Sequence, residues 1–493
     1  MATMTAIDLG AASGRVAVGR FDGTRLQLEV VHRFPNRPVR LGDALHWNLL
    51  GLYREVLDGL RAAGRSDSIG VDAWAVDFGL IDRRGRLLGN PVHYRDRSRA
   101  AAFERVLADV PAPELFARTG IRPMPINTLF ELAALAAEDD PALRAADTLL
   151  MIPDLVHHWL ARVAVGEWTN ATTTQCLDVR DGSWATDLLD RLGIPVRVLP
   201  ELVQPGTALG PLAQDVAREI GMRSATVVAV GTHDTASAVA AVPLRRPASA
   251  YISSGTWSLV GCERPTPLIT DASCAANLTN EGGVGGTFRV LRNITGLWLL
   301  QECRRAWAAA GHEYEYDELV ALAEQAPPGS LIDPDDPRFA SPGDMPARIR
   351  EACLESGQTP PDGPAVVTRC ILESLALKHA EAVAQQGAAT GVPAEEIHVV
   401  GGGARNTLLC RWTAAAAGLP VVAGPEEATL IGNVIVQAMA LGELGSLAEA
   451  REVVRSSFAP VVHEPEVSSE WQDARERFAA ITTSHGTTCE AVA

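Results

Sequence analysis

Residues 6–18 read "AIDLGAASGRVAV". An apolar run ends at Asp8 and Leu9, small residues fill Gly10 to Gly14, and a second apolar run begins at Val16. Strand, small-residue turn, strand is a hairpin signal. Such a turn lets the backbone approach a ligand closely, and its successive N–H groups can cradle an anion. The same letters also suit a plain tight hairpin, and this segment alone does not choose between the two. The shape returns at 250–261, "AYISSGTWSLVG", where Ser253, Ser254, Thr256 and Ser258 add hydroxyls. Two hairpins of one form, each opening half of the chain, point to an ancient duplication. "PLRRPAS" (243–249) separates them, with two prolines and a basic pair between apolar runs.

Length agrees with two domains, because 493 residues exceed what one hydrophobic core supports. The expected division is 1–244, 245–480 and a loose polar tail at 481–493. Hydrophobic residues at 47% and charged residues at 21% are ordinary for a globular protein. A net charge of −17, with no long like-charge block, argues against nucleic acid or an anionic membrane as partner. It leaves room for a small anionic ligand held by a local site. The chain enters a strand-like run almost at once, so no signal peptide is expected, and no apolar run reaches the ~18 residues of a membrane span. Eight cysteines without a C-x-x-C pair support neither a zinc ribbon nor a redox motif. Cys353 and Cys370 could pair if the fold joins them, although free thiols are expected in a cytoplasmic protein.

Between and after the hairpins, helical and strand patterns alternate, as in an α/β protein. A helix is expected over 48–63, two or three strands over 68–94, and mainly helix from 99 to 163 with a break near "RPMPIN". Helices are also expected after "NITG" and over 362–390. Residues 327–346, rich in Pro and Asp, read as an ordered surface loop. "VVGGGARN" (399–406) places three glycines between a strand and a helix, where a nucleotide often lies. A Rossmann reading fails because Asn406 stands where Gly or Ala is required. A P-loop reading fails because the single lysine, Lys378, lies inside a helical run.

"VVAVGTHDTASAVAAVP" (227–243) sets His233, Asp234 and Thr235 where an apolar strand meets a helix of small residues. Asp234 there could be a helix cap. Thr232 and Thr235 could supply capping oxygens instead, which frees Asp234, an ionised carboxylate at a turn, to serve as a general base. Asp8, ending a strand beside the first turn, could hold Mg²⁺ through water. Asp72 and Asp77 could be sugar ligands or strand-end turn formers. His157 and His158, adjacent on one helix, read as surface or satisfied core groups. Trp74, Trp257 and Trp298 could wall a sugar pocket or simply pack the core.

These segments, with "NLTNEGGVGGTFRVLRNITGLWLLQECRR" (277–305), "IDPDDPRF" (332–339) and "AGPEEATLIGN" (423–433), run in order over nearly the whole chain. Together they resemble the carbohydrate kinases of the FGGY family, and among them those acting on L-rhamnulose. The resemblance implies an α/β fold of two actin-like (RNase H-like) ATPase domains flanking a catalytic cleft. The first domain would carry the sugar site, the base and the phosphate hairpin, and the second the ATP site. ATP, Mg²⁺ and L-rhamnulose are implied as reactants, with L-rhamnulose 1-phosphate and ADP as products, in a monomer or weak homodimer. Carried over by position, Asp234 matches the catalytic base. Ala11, Ala12, Ser13, Gly14 and Arg15 match the phosphate turn, and Thr256, Gln301 and Gly402 match ATP contacts. Ala75, His233, Asp234, Thr235 and Asn293 match sugar contacts. One departure stands out: the family's "TWGVD" reads "AWAVD", so Ala75 replaces a glycine. If that glycine needs φ > 0, the sugar preference changes. Another ketose, such as L-fuculose or a ketopentose, or a silent sugar-binding regulator, are the alternatives.

Overall fold

The computed structural model describes every residue except Arg97, Arg223, Pro247, Val467 and 483–493, so most of the expected tail lies outside the described residues. Two mixed sheets dominate. The first runs, edge to edge, Thr207–Pro211, Thr226–Ala229, Ser68–Ala73, Ala2–Leu9, Ser13–Phe21, Leu26–Pro35. The second runs Thr279–Gly282, Phe288–Thr295, Trp257–Arg264, Ser249–Ser254, Glu396–Val400, Val421–Ala423, Val461–His463.

The pairing is the same in both. Ala2–Leu9 is antiparallel to Ser13–Phe21, which is antiparallel to Leu26–Pro35. On its other side it is parallel to Ser68–Ala73, which is parallel to Thr226–Ala229. In the second sheet Ser249–Ser254 is antiparallel to Trp257–Arg264 and, through it, Phe288–Thr295. It is parallel to Glu396–Val400, and that strand to Val421–Ala423. The repeated hairpin seen in the sequence is thus the start of a repeated sheet, with antiparallel strands on one side and parallel crossovers on the other.

Two expectations need correction. Within the span read as helical, Thr148–Met151 is a strand paired with Phe78–Ile81; four residues are too few to show a period of 2 against 3.6. The Pro- and Asp-rich insert is not a surface loop, because Leu331, Ile332 and Phe339 are fully buried in the core of the second half. Lys378 explains why. Nearly inaccessible on the helix Gly363–Thr390, its ammonium lies 3.1 Å from both Asp333 and Glu381 and 3.6 Å from Asp335. The single lysine anchors the insert. Cys353 and Cys370 are buried free thiols. No helix among the described residues is long and apolar enough to cross a membrane.

The halves join through two helices. Asp234–Ala240 follows the first sheet and Ala428–Ala440 follows the second. They pack on one another within a core that also takes in Met4, Ala6 and Tyr251. Their approach is closest at Gly432, where an added Cβ would lie 1.7 Å from the Ser237 carbonyl oxygen. The small residues after Asp234 therefore make room for this second helix. Ala428–Ala440 also reaches the first sheet with buried amides: Asn433 Nδ2 donates to Asp72 Oδ2 at 2.6 Å, and Gln437 Nε2 donates to the Thr5 carbonyl at 3.0 Å.

Overpacking a tight core costs about 1–3 kcal/mol and sometimes more. Gly432→Ala, forced against backbone rather than a movable side chain, is expected at or beyond the upper end, seen as a drop in Tm of several degrees. A Tm within a degree of wild type would show that the two helices separate freely.

Candidate active site

A cleft with a cavity volume of about 340 Å³ collects residues from both halves. The turns line it. Gly10, Ala11, Ala12, Ser13 and Arg15 come from the first hairpin, Ser253, Ser254, Gly255 and Thr256 from the second, and Gly401 and Gly402 from the late glycine turn. The first hairpin closes with Gly10 N–H donating to the Ser13 carbonyl at 3.0 Å, the second with Gly255 N–H donating to Trp257 at 2.8 Å. The glycine turn is pressed onto the second hairpin. Gly401 has φ 80°, and a Cβ on Gly403 would sit 2.0 Å from Ser254 Oγ. Gly402 faces open space, and the buried Ser254 hydroxyl has no partner. Backbone N–H groups and hydroxyls without bulk suit an anion such as a phosphate chain.

Three of the expected contacts differ in detail. Gly14 does not line the cleft; a Cβ there would strike the Phe34 ring at 2.2 Å, so its role is packing. Gln301 also lies off the lining and is exposed, accepting a hydrogen bond from Thr256 Oγ1 at 3.4 Å. Arg15 lines the cleft, yet its guanidinium is held by the carboxylates of Asp8 and Glu427, and Arg33 also reaches Glu427 at 2.9 Å. Glu427, just before the joining helix, thus ties the second half to the first hairpin turn. Burial pushes the Asp8 carboxyl up, Arg15 opposes this, and the charge of Asp234 adds to it. Among the described residues, no three His, Cys, Asp or Glu side chains gather as a metal cluster.

Trp74, Ala75, Val76, Asn293 and the turn His233–Thr235 line the same cleft. Asp234 is the first residue of its helix, His233 is the cap residue, and no side chain caps the end. The expected capping by Thr232 and Thr235 is therefore corrected. Thr232 donates N–H and Oγ1–H to Glu167 Oε2, at 3.0 and 2.6 Å, and Thr235 Oγ1 donates to Asp234 Oδ1 at 3.0 Å. Glu167, fully buried, also accepts from Thr169 Oγ1 at 2.6 Å, and Thr169 Oγ1 accepts from His233 N–H at 3.2 Å. The turn is thus set from behind, and the Asp234 side chain remains about a third exposed, at 32%.

The Ala75 departure resolves at its neighbour. Ala75 is not among the residues with positive φ; Val76 is, at 66°. Asp77 N–H donates to the Ala75 carbonyl at 2.9 Å, a three-residue turn about Val76. A β-branched residue there stores on the order of 1–3 kcal/mol and persists only when its surroundings fix it. Thr128 Oγ1 donates to the Val76 carbonyl at 2.6 Å. Asp77 is no sugar ligand. Buried, it accepts from Trp47 Nε1 at 2.6 Å, Trp74 Nε1 at 2.9 Å and Arg99 at 2.7 Å. Asp72 is also fully buried and lies off the cleft lining. Trp74 and Trp257 wall the cleft, whereas Trp298 lies off its lining, stacks against Arg95 and donates to the Phe339 carbonyl at 3.0 Å. His157 is a buried core group whose Nε2 accepts from Val71 N–H at 3.2 Å, while its Nδ1 has no hydrogen-bond partner among the described residues. The sequence reading singled out neither Glu167, Glu281, Arg289 nor Glu427; the last three sit in the quoted motifs "NLTNEGG…FRV" and "GPEEAT", but single acids and arginines carry no spacing signal.

Comparison with known proteins agrees with this architecture. Residues 4–241 match the N-terminal domain, and 250–441 the C-terminal domain, of the FGGY family of carbohydrate kinases. A rhamnulokinase of Bacteroides thetaiotaomicron is 42% identical over 96% of this chain and 98% of its own. One from Pectobacterium carotovorum is 41% identical over 97% and 96%. Among solved structures, a ligand-bound xylulose kinase from Lactobacillus acidophilus superposes with TM-score 0.78 at 15% identity, over 98% of both chains. A Plasmodium falciparum glycerol kinase with ADP superposes with TM-score 0.76 at 15% identity, over 99% of this chain and 98% of its own. The chain belongs to the FGGY family of carbohydrate kinases, and its two sheets form the actin-like, RNase H-like fold of that family.

Two predictions follow from the segment around Val76. Since Ala75 has no positive φ, Ala75→Gly is expected to change kcat/KM for any ketose by less than about threefold; a changed order of ketoses would assign the preference to this position. Glu131, beside Arg99 and Asp77, is pushed up to about 7 from 4.5, chiefly by burial. The folded state then holds a proton that the unfolded state releases. That stability is complete below about 4.5 and lost as pH rises to about 7, by at most about 1.4 kcal/mol per pH unit. Glu131→Gln removes this loss, so its stability relative to wild type should grow across that window and level off above it in denaturant titrations.

Proposed function

We propose that this carbohydrate kinase phosphorylates L-rhamnulose on its carbon 1 hydroxyl, giving L-rhamnulose 1-phosphate and ADP, as a step in L-rhamnose catabolism. The observation that carries the sugar is the near full-length likeness, 42% identical over 98% of its partner, to a protein named rhamnulokinase. Support for the chemistry comes from Asp234, a partly exposed carboxylate that lines the same cleft as the glycine turns and the expected sugar contacts.

ATP supplies the phosphoryl group, and Mg²⁺ offsets charge on its phosphates. Phosphoryl transfer asks a protein mainly to position groups and neutralise charge. Ala11 to Ser13, Thr256 and Gly402 would hold the phosphates through N–H groups and hydroxyls, with Arg15 as the guanidinium at the first turn. Asp8 would reach the metal through water, in keeping with a cation that retains its own waters and takes few protein ligands. Gln301 would act by orienting Thr256. His233, Thr235 and Asn293 would hold sugar hydroxyls, with Ala75 and Trp74 against the sugar's face. Asp234 would take the proton from the carbon 1 hydroxyl as that oxygen attacks. We divide the chain at 244, with ATP held by the second domain and the sugar, the base and the phosphate hairpin on the first. We propose a monomer or a weak homodimer as its assembly.

A coupled assay of ADP release should give a higher kcat/KM for L-rhamnulose than for L-fuculose or the ketopentoses. A better substrate among those would replace the sugar, and no turnover with any ketose would point to a silent binding protein. Asp234→Asn should lower kcat by roughly 10²–10⁴-fold with ATP binding retained. Near wild-type turnover would remove Asp234 from the role of base.

A further inference from the structure

We infer that the second half of the chain fixes the tautomer of His233, with Arg289 as the positioning residue that keeps the ring proton on Nε2, facing Asp234. The catalytic meaning of this rests on Asp234 as the base; the tautomer itself does not.

His233 is almost inaccessible, with its two ring nitrogens in different company. Nε2 lies 3.4 Å from Asp234 Oδ1. Nδ1 lies 3.0 Å from Arg289 Nη2 and 3.2 Å from Glu281 Oε2. Arg289 and Glu281 stand on the strands Phe288–Thr295 and Thr279–Gly282 of the second sheet, antiparallel neighbours in which they are direct partners. Arg289 is fully buried and held in place: its Nε donates to the Gly282 carbonyl at 2.9 Å, and Nη1 is 3.1 Å from Glu281 Oε2.

A guanidinium can only donate. Where Arg289 points an N–H at Nδ1, that nitrogen must offer a lone pair, so the proton of the neutral ring moves to Nε2. The competing arrangement has Nδ1–H donating to Glu281. Its separation is in range, but Glu281 Oε2 makes no aligned hydrogen bond, whereas the contact from Arg289 is aligned. Glu281 therefore serves as the counter-charge that lets Arg289 lie buried beside an imidazole. The backbone of His233 is fixed separately, through its N–H to Thr169.

The result is a neutral ring whose Nε2 proton faces the Asp234 carboxylate, with Nε2 3.4 Å from Oδ1 and not aligned on it, and is open to a sugar oxygen beside it. Oδ1 of Asp234 is oriented by Thr235, and the other oxygen is left for the proton of the sugar hydroxyl. With the opposite tautomer, Nε2 would set a lone pair against the carboxylate.

Nitrogen-15 spectra of the imidazole rings test this in the whole protein without sugar or ATP, with His233 assigned by the signal lost in His233→Gln. At pH 7.5 the expected pattern is a protonated Nε2 and a bare Nδ1; a proton on Nδ1, or on both, overturns the proposal. In Arg289→Met, Glu281 is left as the partner of Nδ1. The proton should then move to Nδ1, with kcat reduced about tenfold or more and the KM for ATP unchanged, while Arg289→Lys should keep the Nε2 proton. An Nε2 proton persisting in Arg289→Met would also overturn it. If that variant does not fold, the wild-type spectrum alone decides. Because no ketose enters the spectra, a wrong sugar assignment leaves their outcome untouched.

Discussion

The close approach of two helices governs this molecule. Asp234–Ala240 and Ala428–Ala440 each follow one sheet, and they meet where Gly432 lies against the backbone of Ser237. At that separation Asp234, the first residue of one helix, lines the cleft with the first hairpin, and Glu427, just before the other helix, holds Arg15 of that hairpin. A side chain at the crossing would wedge the halves apart and carry those turns away from each other. The small residues of the "TASAVAA" run and the glycine of "LIGN" are thus a shared requirement of packing and of site assembly.

Polar groups at this junction pair across the two halves. Asn433 and Gln437 bring amides into the face of the first sheet and meet Asp72, Ser68 and the Thr5 carbonyl. Arg15 and Arg33 meet Glu427, and Arg289 with Glu281 meets His233. Each of these joins residues far apart in the chain. Burying such groups singly would cost several kcal/mol, so they reward only the arrangement in which both halves are in place. The cleft is in this sense a product of the interface, and His233 on its lining meets Arg289 and Glu281 of the other half.

A good deal of this was legible in the sequence. The repeated hairpin foretold the repeated sheet, because strand alternation and turn composition are local properties. The glycine turns, Ala75, the His233–Thr235 turn and Asn293 all reach the cleft. Other readings failed for stated reasons. Gly14 looks like part of an anion cradle until Phe34 is seen to cover it. Thr232 looks like a cap until Glu167, 65 residues away, takes both its donors. The insert at 327–346 has a loop's composition, and only its pairing with Lys378 shows why it is buried. Ala75 drew attention as a lost glycine, while the strained backbone lies at Val76, a residue whose letter gives no sign of it.

The sequence by itself determined the fold class, the two-part organisation and the kind of chemistry, since these rest on periodicity, turn residues and motif order, which neighbouring residues carry. Tertiary structure alone decided which carboxylates and guanidinium groups meet. Glu167 beneath the Asp234 turn, Glu427 on Arg15, and Arg289 on the ring of His233 are contacts made across the fold. A charged side chain has no preferred partner along the chain; its pairing is fixed by burial, where a charge left without a counter-charge or hydrogen bonds is too costly to keep.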